Sequence, residues 1–275
     1  MIIDSHQHFW TFDPIRDSWI NEEMSVIQRN FYPEDLKPVL QQNGVDACVA
    51  VQADQSLTET KFLLDLAAKN DFIKAVVGWI DLQAENIEDQ LAEWQSEKKL
   101  AGFRHILQGE PELEYMLRPN FMRGISALLK HNFTYDILIF PKHLPVAQQF
   151  VKHFPDQAFV LDHLAKPYIK AGMIDEWKRD IEVLAKFENV MCKVSGIITE
   201  ADWKNWTYEQ IEPYLEVVFE AFGIDRIMYG SDWPVCLVAG EYAQVKGIVE
   251  KYTQNFSEME KAKIFGGNAA KFYKI

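Results

Sequence analysis

The chain has no long apolar run, no block of basic residues and only three cysteines, and each shortage closes off a class of function. No stretch approaches the ~20 apolar residues that a membrane helix needs. The first residues show neither the basic start nor the extended apolar segment of an export signal. Cys48, Cys192 and Cys236 form no C-x-x-C pair and leave one thiol over in any disulfide scheme, which suits a reducing compartment. The cytoplasm is the expected location. A formal charge of −13 without a Lys/Arg cluster disfavours a phosphate backbone or an anionic membrane as partner, so neither nucleic acid nor a membrane is expected. No Pro/Gly/Ser-rich linker or composition shift divides the chain, and one domain over residues 1–275 is expected. The Gly-rich phosphate turn of dinucleotide-binding sheets is missing after the first apolar run. So is the G-x-S-x-G turn of serine hydrolases, which makes a covalent mechanism a poor fit.

What is present is a long, hydrophobic chain with a repeated pattern. Its 275 residues, 48% of them hydrophobic, suffice to bury most of the unfolded surface, about 75% at this size. Short apolar runs alternate with stretches of helical period, the pattern of βα units. Strands are expected at Ile2 to Ser5, Ala47 to Gln52, Ala75 to Asp81, Gly102 to Leu107, Tyr135 to Phe140, Phe159 to His163, Val190 to Ser195 and Ile227 to Gly230. Helices are expected at Thr58 to Lys69, Ile87 to Lys98, Phe121 to His131, Ile174 to Phe187 and Tyr208 to Phe222, with Gly44, Asn70, Asn132, Asn189 and Gly223 as helix-end signals. Eight such units predict an α/β fold, a (β/α)8 TIM barrel, which takes roughly 250 residues; an open parallel sheet is the alternative. Phe9 to Tyr32 is too long for a βα loop of roughly 2 to 6 residues and is read as a functional loop.

In a barrel of this kind the site is built at the C-terminal ends of the strands. The first strand ends in His6-Gln7-His8, where alternation puts both imidazoles on one face, able to share an ion or a carbonyl oxygen. His163 closes the sixth strand before Pro167, as a third ligand, while Asp162 alternates to the opposite face for structural contacts. Asp232 follows the eighth strand and precedes Trp233-Pro234; a carboxylate there is costly unless paired or used, and it can act as base toward water. The plainer readings are hydrogen-bonded strand-end histidines and a helix N-cap. For substrate contacts the candidates are Arg104 or His105, one of which must face inward, Asp136 in an apolar run, and Trp10, Trp79 and Trp233 as pocket walls, for which core packing is the default. His143 could reach the mouth or lie on an exposed loop, and His131 and His153 read as surface groups.

Together, Asp4-Ser5-His6-Gln7-His8-Phe9-Trp10, Gly78-Trp79-Ile80-Asp81-Leu82, Gly102-Phe103-Arg104-His105, Asp162-His163, Tyr229-Gly230-Ser231-Asp232-Trp233-Pro234 and Gly267-Asn268-Ala269-Ala270 resemble the amidohydrolase superfamily from end to end. Within it they are similar to the sugar-lactone hydrolase group, which includes L-fuconolactonases, L-rhamnonolactonases and 2-pyrone-4,6-dicarboxylate lactonases. The resemblance implies a (β/α)8 barrel with His6 and His8 from strand one, His163 from strand six and Asp232 from strand eight. The fifth strand carries no histidine and the fourth no lysine in the places of a binuclear centre, so a single divalent metal is implied. That metal would be zinc on His6, His8 and His163 with Asp232 beside the water. A metal-independent site, its histidines donating hydrogen bonds to the carbonyl, stays open. The implied reaction is Asp232-assisted attack of water on an L-fuconolactone-like sugar lactone. Arg104 is the one inward arginine candidate, which favours a neutral lactone over a dicarboxylate. A non-oxidative decarboxylase and a non-catalytic sugar or metal binder are the rival readings, and homo-oligomerisation is open.

Overall fold

The apolar runs fold into eight parallel strands whose order in the sheet is their order in the chain, as shown by a computed structural model covering residues 1–275. They are β1 (Ile3–Gln7), β2 (Ala47–Val51), β3 (Ile73–Gly78), β4 (Leu100–His105), β5 (Thr134–Ile137), β6 (Phe159–Leu161), β7 (Val190–Val194) and β8 (Ile227–Tyr229). Most stop a few residues before the apolar run does. Residues such as Ile80, Ile106 and Leu138 leave the ladder to form the turns at the mouth. The outer helices are α1 (Pro33–Gln42), α2 (Leu57–Lys69), α3 (Ile87–Trp94), α4 (Pro119–Lys130), α5 (Leu144–Lys152), α6 (Asp175–Leu184), α7 (Tyr208–Phe222) and α8 (Tyr242–Tyr252). Two short helices, α9 (Glu258–Ala262) and α10 (Asn268–Tyr273), complete the chain. No helix is long and apolar enough to cross a membrane.

Two apolar clusters follow from strand alternation. The larger lies between sheet and helices; the smaller gathers Ile3, Val49, Val51, Val77, Val160 and Met228 with Ala269, Phe272 and Tyr273 of α10. The C-terminal helix thus packs against the floor of the barrel.

The seam between β8 and β1 positions the site. It carries only an isolated bridge between Gln7 and Trp233, with the His8 amide donating to Trp233 O at 2.7 Å and the Asp232 amide to His6 O at 2.8 Å. Within β1 the register slips between Asp4 and Gln7. Asp4 faces outward, accepting from Tyr242 Oη of α8 at 3.0 Å, and Gln7 also faces outward, with Nε2 3.4 Å from Cys48 Sγ. Residues three apart cannot share a face of a regular strand. The slip therefore reverses the alternation and turns His6 and His8 into the barrel.

The long segment from Phe9 to Tyr32 is closed at its base by a reciprocal backbone pair, Trp10 N to Phe31 O at 3.0 Å and Phe31 N to Trp10 O at 2.9 Å. Its 3-10 turn at Glu22–Ile27 packs against the turn at Val235–Val238 that follows β8.

Candidate active site

Four side chains from three strand ends converge at the mouth. His8 places Nδ1 2.7 Å from Val51 O, which can only accept, so the ring donates there and turns Nε2 toward the cluster. That Nε2 is 3.3 Å from Asp232 Oδ1 and 3.2 Å from His6 Nε2. His163 places Nδ1 2.8 Å from Ser195 Oγ and Nε2 3.9 Å from Asp232 Oδ1; His6 Nε2 is 3.8 Å from the same oxygen. The site is buried throughout: His6 is fully covered, and His8, His163 and Asp232 are each 4% exposed.

The backbone that presents these groups is strained. His163, Leu164, Ala165 and Lys166 all lie in the left-handed region (φ 53°, 55°, 58° and 52°), as does Asp232 (φ 58°). Each such residue costs on the order of 1–2 kcal/mol, and such strain concentrates at functional sites. The turn corrects one expectation. Asp162 does not alternate away from His163; the chain leaves β6 at once into that left-handed run, and both side chains enter the barrel, Asp162 Oδ1 lying 3.3 Å from His6 Nδ1.

Asp4 fixes the seam from outside. Its Oδ1 accepts from the amides of Ser231 (2.9 Å) and His6 (3.1 Å), and its Oδ2 from Ser231 Oγ (2.5 Å) as well as Tyr242. One buried carboxylate thus ties the histidine strand to the Asp232 turn.

Burial holds the His163 imidazole at about 4, with Asp232 and Asp162 only partly opposing, and pushes His6 well below the usual histidine range. Burial would also raise Asp232, but the facing imidazoles, His163 foremost, outweigh it and keep the carboxyl far below its ordinary value. At neutral pH Asp232 is thus a carboxylate facing the neutral imidazoles of His6 and His163.

Beneath His6 lies a second polar layer. Lys193 of β7, with no exposed surface, has Nζ 2.5 Å from Asp136 Oδ2, 3.0 Å from Asp162 Oδ1 and 3.2 Å from His6 Nδ1. Sequence reasoning passed over Lys193, although a lysine inside Val190-Met191-Cys192-Lys193-Val194 is a charge in an otherwise apolar strand, which demands a partner.

The candidates for substrate contact divide. Arg104 is the inward residue of its pair, and His105 turns to the helix side, stacked on Tyr115 at 5.0 Å and edge-on to Phe121 at 5.7 Å, with Nε2 2.7 Å from Glu110 Oε1 and Nδ1 accepting from the half-buried Trp79 Nε1 at 3.4 Å. Arg104, Asp136, Trp10 and Trp233 are engaged internally. Arg104 is held by Asp162 Oδ2 at 3.0 Å and by Gln52 O, and Asp136 by Lys193 and by Tyr273 Oη at 2.9 Å. Trp10 donates to Arg29 O and packs on Phe31; Trp233 packs between Phe9 and Phe31. Barrel-interior pairing and core packing account for those four. His143 is likewise buried, against Phe140. A further polar pair, Lys166 and Glu200, lies 3.7 Å apart with side chains about one-fifth exposed (20% and 19%).

Gly196 closes the wall behind the cluster. A Cβ there would stand 2.6 Å from His163 Nδ1 and 3.1 Å from Asp232 Oδ2, at a φ of +60°. Gly196→Ala is therefore expected to displace both groups and lower kcat/KM by about 100-fold, the effect of a ~1 Å misplacement. Steady-state kinetics on the folded variant checks this, and unchanged kinetics would show that the wall has room.

Residues 3–275 match the sequence profile of the amidohydrolase family. The chain belongs to that family. It is 38% identical to the L-fucono-1,5-lactonase of Burkholderia multivorans, over 99% of this chain and 96% of that protein. It is 36% identical to the L-fucono-1,5-lactonase of Burkholderia ambifaria, over 99% and 95%. The crystal structure of an amidohydrolase from Burkholderia multivorans with bound zinc superposes with a TM-score of 0.97 at 38% identity, covering 100% of this chain and 99% of that one. This amidohydrolase carries a donor set that fits a divalent ion. Ligand atoms of His6, His8 and Asp232 lie within 4.8 Å of one another, as do those of His6, Asp162 and His163. His8 and His163 each engage Nδ1 with a neighbouring oxygen, which leaves Nε2 available.

Proposed function

We propose that this amidohydrolase is a lactonase that opens L-fucono-1,5-lactone, or a sugar lactone of the same class, to its aldonic acid. The observation that carries the reading is one ionised carboxylate oxygen, Asp232 Oδ1, within 3.9 Å of the Nε2 atoms of His6, His8 and His163. The full-length likeness to two L-fucono-1,5-lactonases supports the substrate class.

His6, His8, His163 and Asp232 are the residues that would hold one zinc ion, which when bound supplies Lewis acidity to a carbonyl oxygen. Asp232 takes the proton from water as the water oxygen bonds to the lactone carbonyl carbon. The bond from that carbon to the ring oxygen then breaks, and the proton held by Asp232 passes to the leaving oxygen. Left-handed backbone at both Asp232 and His163 fixes base and imidazole before substrate arrives, so little reorganisation remains at the moment of reaction. Trp79 and the partly exposed Lys166–Glu200 pair are the groups this reading offers to sugar hydroxyls. Arg104 is committed to Asp162 and Gln52, so no free guanidinium is left for a dicarboxylate.

A pH-indicator assay across L-fucono-, L-galactono- and L-rhamnono-lactones tests the reading. Acid release is expected, lost after chelation and restored by zinc. Silence across the panel, with carbon dioxide released from an aromatic acid instead, would replace lactone hydrolysis by decarboxylation.

A further inference from the structure

Lys166 and Glu200 hang from the same two turns that build the cluster. Lys166 ends the left-handed run that begins at His163, and its amide donates to His163 O at 2.6 Å. Glu200 ends the 3-10 turn Ile198–Glu200 that follows β7. That turn is anchored by Thr199 Oγ1 donating at 2.6 Å to the carbonyl of Gly196, the residue that closes the wall behind His163 and Asp232. Phe140, just after β5, completes the group, its half-buried ring centred 5.8 Å from Lys166 Nζ. Three successive strand ends thus contribute an aromatic face, an ammonium and a carboxylate beside the cluster.

The pair's own contact does not account for it. Lys166 Nζ and Glu200 Oε1 stand 3.7 Å apart, beyond hydrogen-bond reach, and an ion pair that is one-fifth exposed holds two turns together only weakly. Burial raises the Glu200 carboxyl above its ordinary range; Lys166 opposes the rise and the charge of Asp232 adds to it. A carboxylate is thus kept within the field of the proposed base while its lone pairs stay free. Two adjacent ring hydroxyls satisfy both head groups at once. One accepts from the ammonium, its neighbour donates to the carboxylate, and the C–H face of the ring lies on Phe140. Because the pair feels Asp232, the hydroxyls it meets are those nearest the carbonyl that Asp232 serves.

We propose that Lys166 and Glu200 are the specificity-determining pair of this site, gripping the hydroxyls on the two carbons next to the lactone carbonyl, Lys166 as donor and Glu200 as acceptor. The inference rests on the lactonase reading.

The test compares kcat/KM of the zinc-loaded full chain on L-fucono-1,5-lactone and on its 2,3-dideoxy analogue. The wild-type chain is expected to prefer the hydroxylated lactone by at least about 100-fold, the combined effect of two hydrogen bonds to charged groups. Lys166→Met is made together with Glu200→Leu, so that one charge of each sign leaves and neither is stranded. In this double variant the preference should collapse by about 100-fold, most of it through a raised KM for the hydroxylated lactone. A merely structural role would slow both lactones alike and keep their ratio. A ratio unchanged in the double variant, or a wild-type chain without the preference, would overturn the inference and leave lactone hydrolysis standing. A wild-type chain silent on both lactones would overturn the lactonase reading and this inference with it. Should the double variant not fold, the near-isosteric Glu200→Gln decides, with the preference expected to fall about tenfold and an unchanged preference removing the role of Glu200.

Discussion

Asp232→Asn is expected to lower kcat on L-fucono-1,5-lactone by about 1,000-fold with little change in KM, because a positioned base contributes on the order of 100- to 10,000-fold and the amide is nearly isosteric. An amide cannot take the proton that the attacking water must lose. The turn that carries residue 232 should survive the change. It is held by Asp4 through Ser231 and by the residue 232 amide bonded to His6 O, none of which involves the side chain. Stopped-flow acid release by the zinc-loaded variant is the measurement. Wild-type turnover would mean that another group removes the proton.

Asp4→Ala is expected to do comparable damage from outside the barrel. Four buried donors, the amides of His6 and Ser231, Ser231 Oγ and Tyr242 Oη, lose their acceptor at once. Stranding a buried donor costs roughly 1–3 kcal/mol, and with partial relaxation the total should be about 4 kcal/mol. For a chain of this size that lowers the melting temperature by about 10 °C. Activity should fall further than stability requires, because His6 and the Asp232 turn both hang on this carboxylate across a seam that has no regular ladder. Thermal unfolding and kinetics below the melting range separate the two effects. A variant that melts early yet keeps wild-type kcat/KM would show that Asp4 serves the fold alone.

The barrel was legible because eight apolar runs separated by helical stretches leave few other arrangements, and the runs at Phe159 and Ile227 mark β6 and β8 where the structure has them. Gly44, Asn132 and Gly223 do end helices with positive φ. Asn70, with φ −132°, closes its helix in an extended conformation instead. The H-x-H spacing showed that His6 and His8 share a face. It did not show which face, since that depends on the slip between Asp4 and Gln7, a consequence of the seam with β8.

Asp162 was misplaced for a related reason: strict alternation assumes an extended chain, and the left-handed run from His163 onward ends that assumption one residue early. Lys193 could have been found by asking what neutralises a charge inside an apolar strand; its answer, Asp136 and Asp162, lies on two other strands. Arg104 and Asp136 drew attention as polar residues on strands. Only packing reveals that each is already paired with a barrel neighbour.

The central claim is that a carboxylate surrounded by three imidazoles at the mouth of this barrel opens a sugar lactone. Its most direct test is kcat/KM of the purified, zinc-loaded chain on L-fucono-1,5-lactone, followed by acid release at several enzyme concentrations. The account predicts a rate proportional to enzyme, with kcat/KM of at least about 10⁴ M⁻¹s⁻¹. A rate equal to spontaneous ring opening at every enzyme concentration would contradict it.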